Sequence, residues 1–297
     1  MPSGFVADLR RHAAEAIAFE DAQADEFLSL LADLRDTLLG RLLRIDPDDQ
    51  PFNAWRLGQV LAEVEAALAS LEAKAAHAYG EAAKDAAEMA TRHLSSELRV
   101  MGKALGREPV VIPLKAAAVL ADSSQQLLAN HYATSVKRYG LDLLNQIRAR
   151  LFVGLRAGDA MRDMARDIAA EQGPLGRVGR VNAERLVRTE QAQVYNVAHL
   201  DAAREAKKAI PDLKIVWHKV TSYDCPVCNP LHMTEREIGG TWTVRQGKRV
   251  KQVAAPPAHP RCGCRTLVVR ASWRKRIKEL GYLDLPVEDP LSKRKAA

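Results

Sequence analysis

All four cysteines of this 297-residue chain lie in two short stretches toward its C-terminal end. Cys225 and Cys228 occur in YDCPVCNPLHM, and Cys262 and Cys264 occur in PPAHPRCGCRTLVV. A Cys-x-x-Cys turn directs two sulfurs toward one point, and Zn²⁺ in a structural site takes four such ligands in a tetrahedron. This pairing constrains the fold strongly, because one metal ion would require both stretches to meet in space.

Five side chains are therefore candidate ligands for four places around a structural zinc ion: Cys225, Cys228, Cys262, Cys264 and His259. The first three are the strongest candidates, and either Cys264 or His259 is the fourth. His259 precedes Pro260 in a proline-rich stretch, which holds the backbone extended and fixes the direction of the ring. Because a small sheet has little core, bound zinc would supply much of its folding free energy.

Other interpretations of the thiols stay open, namely inert reduced or oxidised cysteines and a redox pair. A redox Cys-x-x-Cys motif usually opens a helix after a strand, whereas Asn229-Pro230 would obstruct a helix here. Residues 1–20 do not resemble a secretory signal, and no apolar run reaches the length of a membrane helix. We therefore expect a soluble protein made in the cytosol, with no membrane partner and few disulfides.

The first two-thirds of the chain is rich in alanine and leucine and predicts long helices. One helix is expected from about residue 20 to 45, and DPDDQPFN (46–53) ends it. A longer helix follows, in which apolar residues alternate spacings of four and three: Leu57, Leu61, Val64, Leu68 and Leu71. This seam favours a hairpin on the first helix over an intermolecular zipper, although a homo-oligomer stays possible.

Further helices are expected from Lys115 to about Arg156, in DAMRDMARDIAAEQ after an Asp159 N-cap, and in the stretch that begins VNAERLVRTEQ. GPLGRVGR (173–180) lacks the Lys-Ser/Thr of a phosphate loop, so we interpret it as a connector. LKIVWHKV and CRTLVVR predict strands, and TWTVRQGKRVKQVAA predicts a hairpin.

The fold class predicted is mainly α, with long helices and helical hairpins followed by a small zinc-stabilised β unit in an α+β C-terminal domain. We divide the chain into an acidic helical hairpin (1–106), a long helix and connector (107–157), a domain with the Cys/His cluster at 210–271 (158–271), and a basic polar tail (272–297).

Charge is unevenly distributed along the chain. The chain has 37 acidic and 44 basic residues, of which residues 1–90 contain 17 acidic and 8 basic ones. The first part of the chain is therefore acidic and the rest is basic. Basic side chains around the cysteines and in the tail can contact DNA phosphates without reading sequence, or an acidic protein partner. They are Lys248, Arg249, Lys251, Arg261, Arg265, Arg274, Lys275 and Arg276.

The order of motifs resembles the phage Mu F-like minor head proteins, a phage head morphogenesis family. The matching stretches are RAGDAMRDMARDI, AERLVRTEQAQVYNVAHLDAARE, VWHKVTSYDCPVCNPL and PPAHPRCGCRTLV, which together cover about residues 150–271. The residues that match the family pattern are Arg188, Thr189, Glu190, Asn196, Trp217, Asp224, Cys225, Cys228, Pro256, Pro257, His259, Pro260, Cys262 and Cys264. Gly263 stands where the family often has arginine.

The resemblance implies a virion component, made in the host cytoplasm and carried in the head interior or near the portal. It implies a role in head assembly, DNA packaging or genome delivery, with the portal, the major capsid protein or a scaffold as partner. The resemblance does not extend to residues 1–150. A zinc-ribbon DNA-binding protein is the alternative function.

Arg188, Thr189, Glu190 and Asn196 lie on one helix and predict a structural network rather than catalytic machinery, because an Arg–Glu pair in a core is a brace. A delivered enzyme of ADP-ribosyltransferase type needs a Glu-x-Glu pair. Ala192 stands at that spacing after Glu190, whereas Glu235 and Glu237 in TEREIGG do have the spacing, which is common by chance. We expect no enzymatic activity and no catalytic residues.

Overall fold

Five α-helices dominate the computed structural model, which describes residues 3–45, 54–104, 122–220 and 225–273. They are α1 (Ser3–Ile45), α2 (Ala54–Ala104), α3 (Asp122–Ala157), α4 (Met161–Ala169) and α5 (Arg177–Ala209). A small β region follows α5. The predicted fold class, mainly helical with a small C-terminal β region, is confirmed.

Helix α1 begins at Ser3, well before the predicted start near residue 20. Its first half buries His12 and Glu20 among alanines, so the apolar periodicity of this half is weak in the sequence. The predicted first residues of α3, from Lys115, lie outside the described residues, as does the 46–53 stretch between α1 and α2.

The predicted N-cap at Asp159 is wrong. Helix α4 has Ala160 at the N-cap position, without a side-chain hydrogen bond. Asp159 Oδ2 instead accepts hydrogen bonds from two nitrogens of the Arg150 guanidinium, at 3.1 and 3.2 Å. Both partners of this pair are ionised and the carboxylate accepts two bonds, whereas in a capping bond only the carboxylate is ionised, which explains the difference.

The glycine-rich connector forms a compact turn, and α5 begins within it at Arg177. A Cβ added at Gly173 would lie 2.1 Å from the carbonyl oxygen of Asp167, and one at Gly176 would lie 2.1 Å from that of Ala170. These close approaches of backbone to backbone require glycine. The connector is therefore glycine-rich for packing reasons.

The chain divides into two compact units, each built from several stretches. Unit 1 contains the described parts of residues 1–21, 82–126 and 189–297, and unit 2 contains those of 22–81 and 127–188. This division differs from the sequential boundaries expected from the sequence, because α1, α2, α3 and α5 each contribute to both units.

Unit 2 is helical and buries the apolar seams predicted for its first two helices. Phe27, Leu31, Leu34 and Leu38 on α1, and Leu57, Val64, Leu68 and Leu71 on α2, are buried, whereas Leu61 of the predicted α2 seam is only partly buried. Arg41 on α1 donates a hydrogen bond to the Glu63 carboxylate on α2 at 2.7 Å. Both seams are thus buried within a single chain, as a helical hairpin requires.

The β region consists of a three-stranded antiparallel sheet and a separate hairpin. The strands are β1 (Leu213–Lys219), β2 (Glu235–Glu237), β3 (Trp242–Gln246), β4 (Arg249–Val253) and β5 (Cys264–Arg270). The sheet has the order β2-β1-β5, and β3 pairs with β4. The predicted strands and hairpin are present, whereas the three-residue strand β2 was not predicted, because Glu-Arg-Glu carries no apolar signal.

The core of unit 1 lies between this β region and the parts of α2 and α5 in the same unit. Trp217 on β1 and Trp242 on β3 are fully buried, and their rings meet edge to face with centroids 5.4 Å apart. All four cysteines belong to the same apolar core. The core therefore supports the cysteine cluster directly.

Candidate metal centre

The first cysteine pair lies on a tight turn after β1. The backbone N–H groups of Cys228 and Asn229 donate to the carbonyl of Cys225 at 3.1 and 2.9 Å. A short 3₁₀ turn, Asn229–Leu231, follows directly. This hydrogen bonding folds Cys225 and Cys228 into one turn, and both residues are buried.

The second group of candidate ligands lies between β4 and β5. The backbone N–H of Cys262 donates to the carbonyl of His259 at 3.1 Å, which closes another tight turn. Arg261 within this turn has a positive φ of 60°. Cys264 is the first residue of β5 and is buried, as is Cys262.

His259 joins the two groups. Its Nε2 lies 3.1 Å from Cys225 Sγ and 3.2 Å from Cys228 Sγ. Its Nδ1 lies 2.8 Å from the carbonyl oxygen of Pro260. Because a carbonyl only accepts, Nδ1 carries the proton and Nε2 presents its lone pair to the sulfurs, as in a metal-binding histidine.

The five predicted ligands form two triplets that share Cys228. Cys225, Cys228 and His259 make one, and Cys228, Cys262 and Cys264 make the other, with the ligand atoms of each triplet within 4.8 Å of one another. The distance between Cys228 Sγ and Cys262 Sγ is 3.7 Å. Two sulfurs at about 2.3 Å from a tetrahedral zinc ion stand about 3.8 Å apart, so this pair already has that spacing.

The four cysteines are free thiols. The pKa of Cys262 is lowered because the Cys228 and Cys264 thiols donate hydrogen bonds to its sulfur, while the pKa of Cys228 is raised by its bond to Cys262. The three sulfurs are thus linked through their thiol protons. A divalent cation takes the place of such protons when it binds, because thiolates are the ligand form.

The cluster can hold a metal ion, and its chemistry is that of thiolate and imidazole ligands. The cysteines are buried and His259 is partly buried, so a bound ion would be largely shielded from water. All five residues were predicted as ligands from their spacing alone.

The cluster is connected to α5 by hydrogen bonds between two side chains of the helix and the backbone around the second ligand group. The Thr189 hydroxyl accepts a bond from the backbone N–H of Arg261 at 3.2 Å. The Asn196 side chain donates to the Cys264 carbonyl at 3.3 Å and accepts from the Thr266 backbone N–H at 2.8 Å. Two members of the predicted helix network therefore position the second ligand group.

The other two members of that network have different surroundings. Glu190 is buried. Arg188 belongs to unit 2, where its guanidinium donates to the Glu184 carboxylate at 2.9 Å. The boundary between the units falls between Arg188 and Thr189, so a four-residue network stays a prediction.

The predicted basic contacts divide into three groups. Lys248, Arg249, Lys251 and Arg261 are exposed. Arg274, Lys275 and Arg276 lie outside the described residues, as does Asp224 of the family pattern. For Arg265, a role in DNA or partner contact is wrong: its guanidinium is buried, pairs with Glu20 and donates to the Cys264 carbonyl at 3.0 Å.

A buried polar network, which was not predicted, lies in unit 1 near α1, α2 and α5. His93 Nε2 lies 2.8 Å from the Glu15 carboxylate, and its Nδ1 lies 2.8 Å from the Tyr195 hydroxyl. The His12 ring stacks on His93 with centroids 4.0 Å apart. Burial lowers the pKa of His93 to about 4 and also lowers that of His12.

A second branch of this network includes β5. The Thr266 hydroxyl lies 3.1 Å from His199 Nδ1, and His199 Nε2 lies 3.4 Å from the Glu97 carboxylate. These three side chains are buried, so their resemblance to a catalytic triad offers no access to a substrate. The spacing of four from His93 to Glu97 and from Tyr195 to His199 was a signal for shared helix faces.

Glu235 and Glu237, the pair with Glu-x-Glu spacing, lie on β2. Glu237 is exposed and its carboxylate bonds to Lys207 at 2.9 Å and to Lys214 at 3.1 Å. These two lysines lower the pKa of Glu237. The carboxylate therefore has a structural partner on each side.

No family model, curated protein or solved structure matches this chain. Among the described helices, none combines the length and the apolar character needed to cross a membrane.

Proposed function

We propose that the chain is a minor head protein of a phage, whose β region is held together by one structural zinc ion. The observation that best supports this proposal is that motif residues far apart in the sequence contact one another. Thr189 and Asn196 on α5 contact the backbone of Arg261 and Cys264, 72 and 68 residues further along the chain. Two residues of the α5 motif and the segment that carries Cys262 and Cys264, both of which resemble the head morphogenesis family, thus contact each other directly.

Zinc is the metal that suits this ligand set best, since thiolates and imidazole favour it and the site needs no redox chemistry. Cys225, Cys228, Cys262 and His259 are the proposed ligands. Three thiolates and a neutral imidazole leave a net charge of −1 on the complex, whereas four thiolates leave −2. In buried surroundings the smaller net charge costs less, which favours His259 over Cys264.

The role of the zinc is structural. Four thiol or imidazole ligands leave no open position for a substrate, unlike a catalytic zinc site. The ion would link the turn after β1 to the segment before β5, which lie more than 30 residues apart along the chain. The proposed protein is therefore not an enzyme and acts by assembling with other head components.

The partners proposed are the portal, the major capsid protein or a scaffold, in the head interior or near the portal. The test is to purify heads from cells that express this gene together with the head genes of the same phage. The chain is expected to sediment with heads, and a variant with Cys225→Ser and Cys228→Ser is expected to be lost from them. Normal, infectious heads without the chain, and a chain that stays free, would contradict the proposal.

A further inference from the structure

The β region carries a long stretch without acidic residues. No aspartate or glutamate occurs between Ile238 and Trp273, and this stretch contains seven cations: Arg245, Lys248, Arg249, Lys251, Arg261, Arg265 and Arg270. The first four lie on the β3–β4 hairpin, where all four are exposed. The hairpin therefore has a positive charge that its own strands do not balance.

The pairing of the hairpin places these cations on both of its faces. Gln246 pairs with Arg249 and Arg245 with Val250, and paired residues share a face while neighbours alternate. Arg249 and Lys251 therefore project from one face and Arg245 from the other. Lys248 lies in the two-residue turn, which Gly247 opens with a positive φ of 59°. Both faces and the tip of the hairpin are cationic.

The base of the hairpin is held firmly. Trp242 and Val244 are buried in the core of unit 1, and the Trp242 indole N–H donates to the Thr234 hydroxyl at 2.9 Å. Across the strands, the Gln252 amide donates to the Thr243 hydroxyl at 2.9 Å. These contacts fix the backbone at the base of the hairpin, so the ribbon is formed before binding and that part of its backbone entropy need not be lost.

We infer that the β3–β4 hairpin binds double-stranded DNA by entering the major groove, with its cations on the phosphates of both groove walls. The major groove of B-form DNA is about 12 Å wide and admits a two-stranded ribbon. The groove has a phosphate backbone on each side, and the long side chains on the two faces and at the tip of the hairpin can extend to both. The contacts are to phosphates, so the binding is independent of sequence.

This inference goes beyond the proposed head function and does not depend on the identity of the metal ligands, since the hairpin contributes none of them. The full-length protein and a duplex of mixed sequence are used, with fluorescence anisotropy over a range of salt concentrations. The variant replaces Arg245, Lys248, Arg249 and Lys251 by glutamine. A control variant replaces four exposed cations of unit 2, namely Lys74, Lys137, Arg138 and Arg162, by glutamine.

The hairpin variant is expected to bind at least about tenfold more weakly, and the slope of log K against log salt is expected to fall by about 3 to 4 in magnitude. The control variant has lost the same charge, and it is expected to keep most of the affinity for DNA and most of the slope of log K against log salt. Equal effects of the two variants would overturn the inference, because net charge rather than the hairpin would then govern binding. Failure of the unaltered protein to bind DNA at low salt would overturn it too.

A double-stranded RNA of the same length separates groove entry from simple charge attraction. Its major groove is deep and narrow and does not admit a ribbon, although its phosphate charge is similar. The protein is expected to bind the DNA duplex more tightly than the RNA duplex. Equal affinity for both would contradict entry into the groove. Incorporation of the hairpin variant into heads, measured separately, reports on the proposed head function alone.

Discussion

The side chain of Asn196 on α5 accepts a hydrogen bond at 2.8 Å from the backbone N–H of Thr266, 70 residues further along the chain. The same amide donates to the carbonyl of Cys264 at 3.3 Å and to that of Ala192 at 2.7 Å. Asn196 is fully buried. One side chain thus ties the helix to the first residues of β5, beside the second group of candidate ligands.

Replacing Asn196 by alanine is expected to lower the free energy of unfolding by about 3 kcal/mol, because buried backbone groups lose their partners. Chemical denaturation with tryptophan fluorescence measures this change. The control is Asn130→Ala on α3, an exposed position expected to change stability by less than about 0.5 kcal/mol. Similar stability of the two variants would show that the amide bonds of Asn196 contribute little.

The protein purified without chelator is expected to contain about one zinc ion per chain, as measured by elemental analysis. Chelation is expected to lower the melting temperature, because binding free energy at a structural site is folding free energy. His259→Ala should lower both the zinc content and the melting temperature, whereas His77→Ala, an exposed position on α2, should lower neither. Metal-free protein with four titratable thiols and a melting temperature unaffected by chelator would exclude the site.

Cobalt substitution tests the fourth ligand. Co²⁺ in a site with three sulfurs and one nitrogen has a visible absorption spectrum that differs from that of a four-sulfur site. We expect Cys264→Ala to leave the spectrum and the metal affinity nearly unchanged, and His259→Ala to alter both, since His259 is the proposed ligand. If Cys264→Ala altered the spectrum and the metal affinity while His259→Ala did not, Cys264 would be the fourth ligand.

Acid is expected to destabilise unit 1 through the stacked pair His12 and His93. Burial lowers the pKa of both rings below the usual 6.5, that of His93 to about 4. Above pH 6.5 the rings are neutral in folded and unfolded chains alike. As the pH falls from 6.5 toward 4, the unfolded chain binds protons that the folded chain does not, so stability decreases.

The denaturation midpoint measured between pH 7.5 and 4 reports this loss, which should amount to a few kcal/mol, on the order of the pKa difference. Replacing His12 by phenylalanine keeps an aromatic ring against His93 and removes one buried titratable group. The loss of stability on acidification should therefore become smaller in this variant. In His77→Asn the loss of stability on acidification should be the same as in the unaltered protein. If this loss became equally small in both variants, groups other than His12 would be responsible for the acid sensitivity.

The local patterns of the sequence were sufficient to predict most of the helices and strands. The alternating apolar residues around Trp217 predicted β1, and QGKR between alternating residues predicted the β3–β4 hairpin. Both elements are present in the structure. They could be predicted because the spacing of apolar residues and the residues of a turn are local properties. Strand β2 was missed because three residues with two charges gain their extended shape from pairing with β1, not from their own preference.

Two errors have the same physical origin. Asp159 has the residue type of an N-cap, and Arg265 has the residue type of a phosphate contact. Asp159 pairs with Arg150, and Arg265 pairs with Glu20, 245 residues away along the chain. A charged side chain pairs with the partner that folding brings to it, which lies nine residues away for Asp159 and in a distant helix for Arg265, and residue type alone does not reveal that partner.

The helical class, the principal strands and the five candidate ligands could be predicted without a structure, because helical periodicity, turn residues and Cys-x-x-Cys spacing are all short-range. The fold was needed to show that the ligands form two triplets joined at Cys228, that Thr189 and Asn196 lie beside them, and that helices α1, α2, α3 and α5 are shared between two units. These contacts between distant segments form because apolar surfaces from different parts of the chain are buried against each other. The free energy of that burial depends on the whole chain and not on any local stretch.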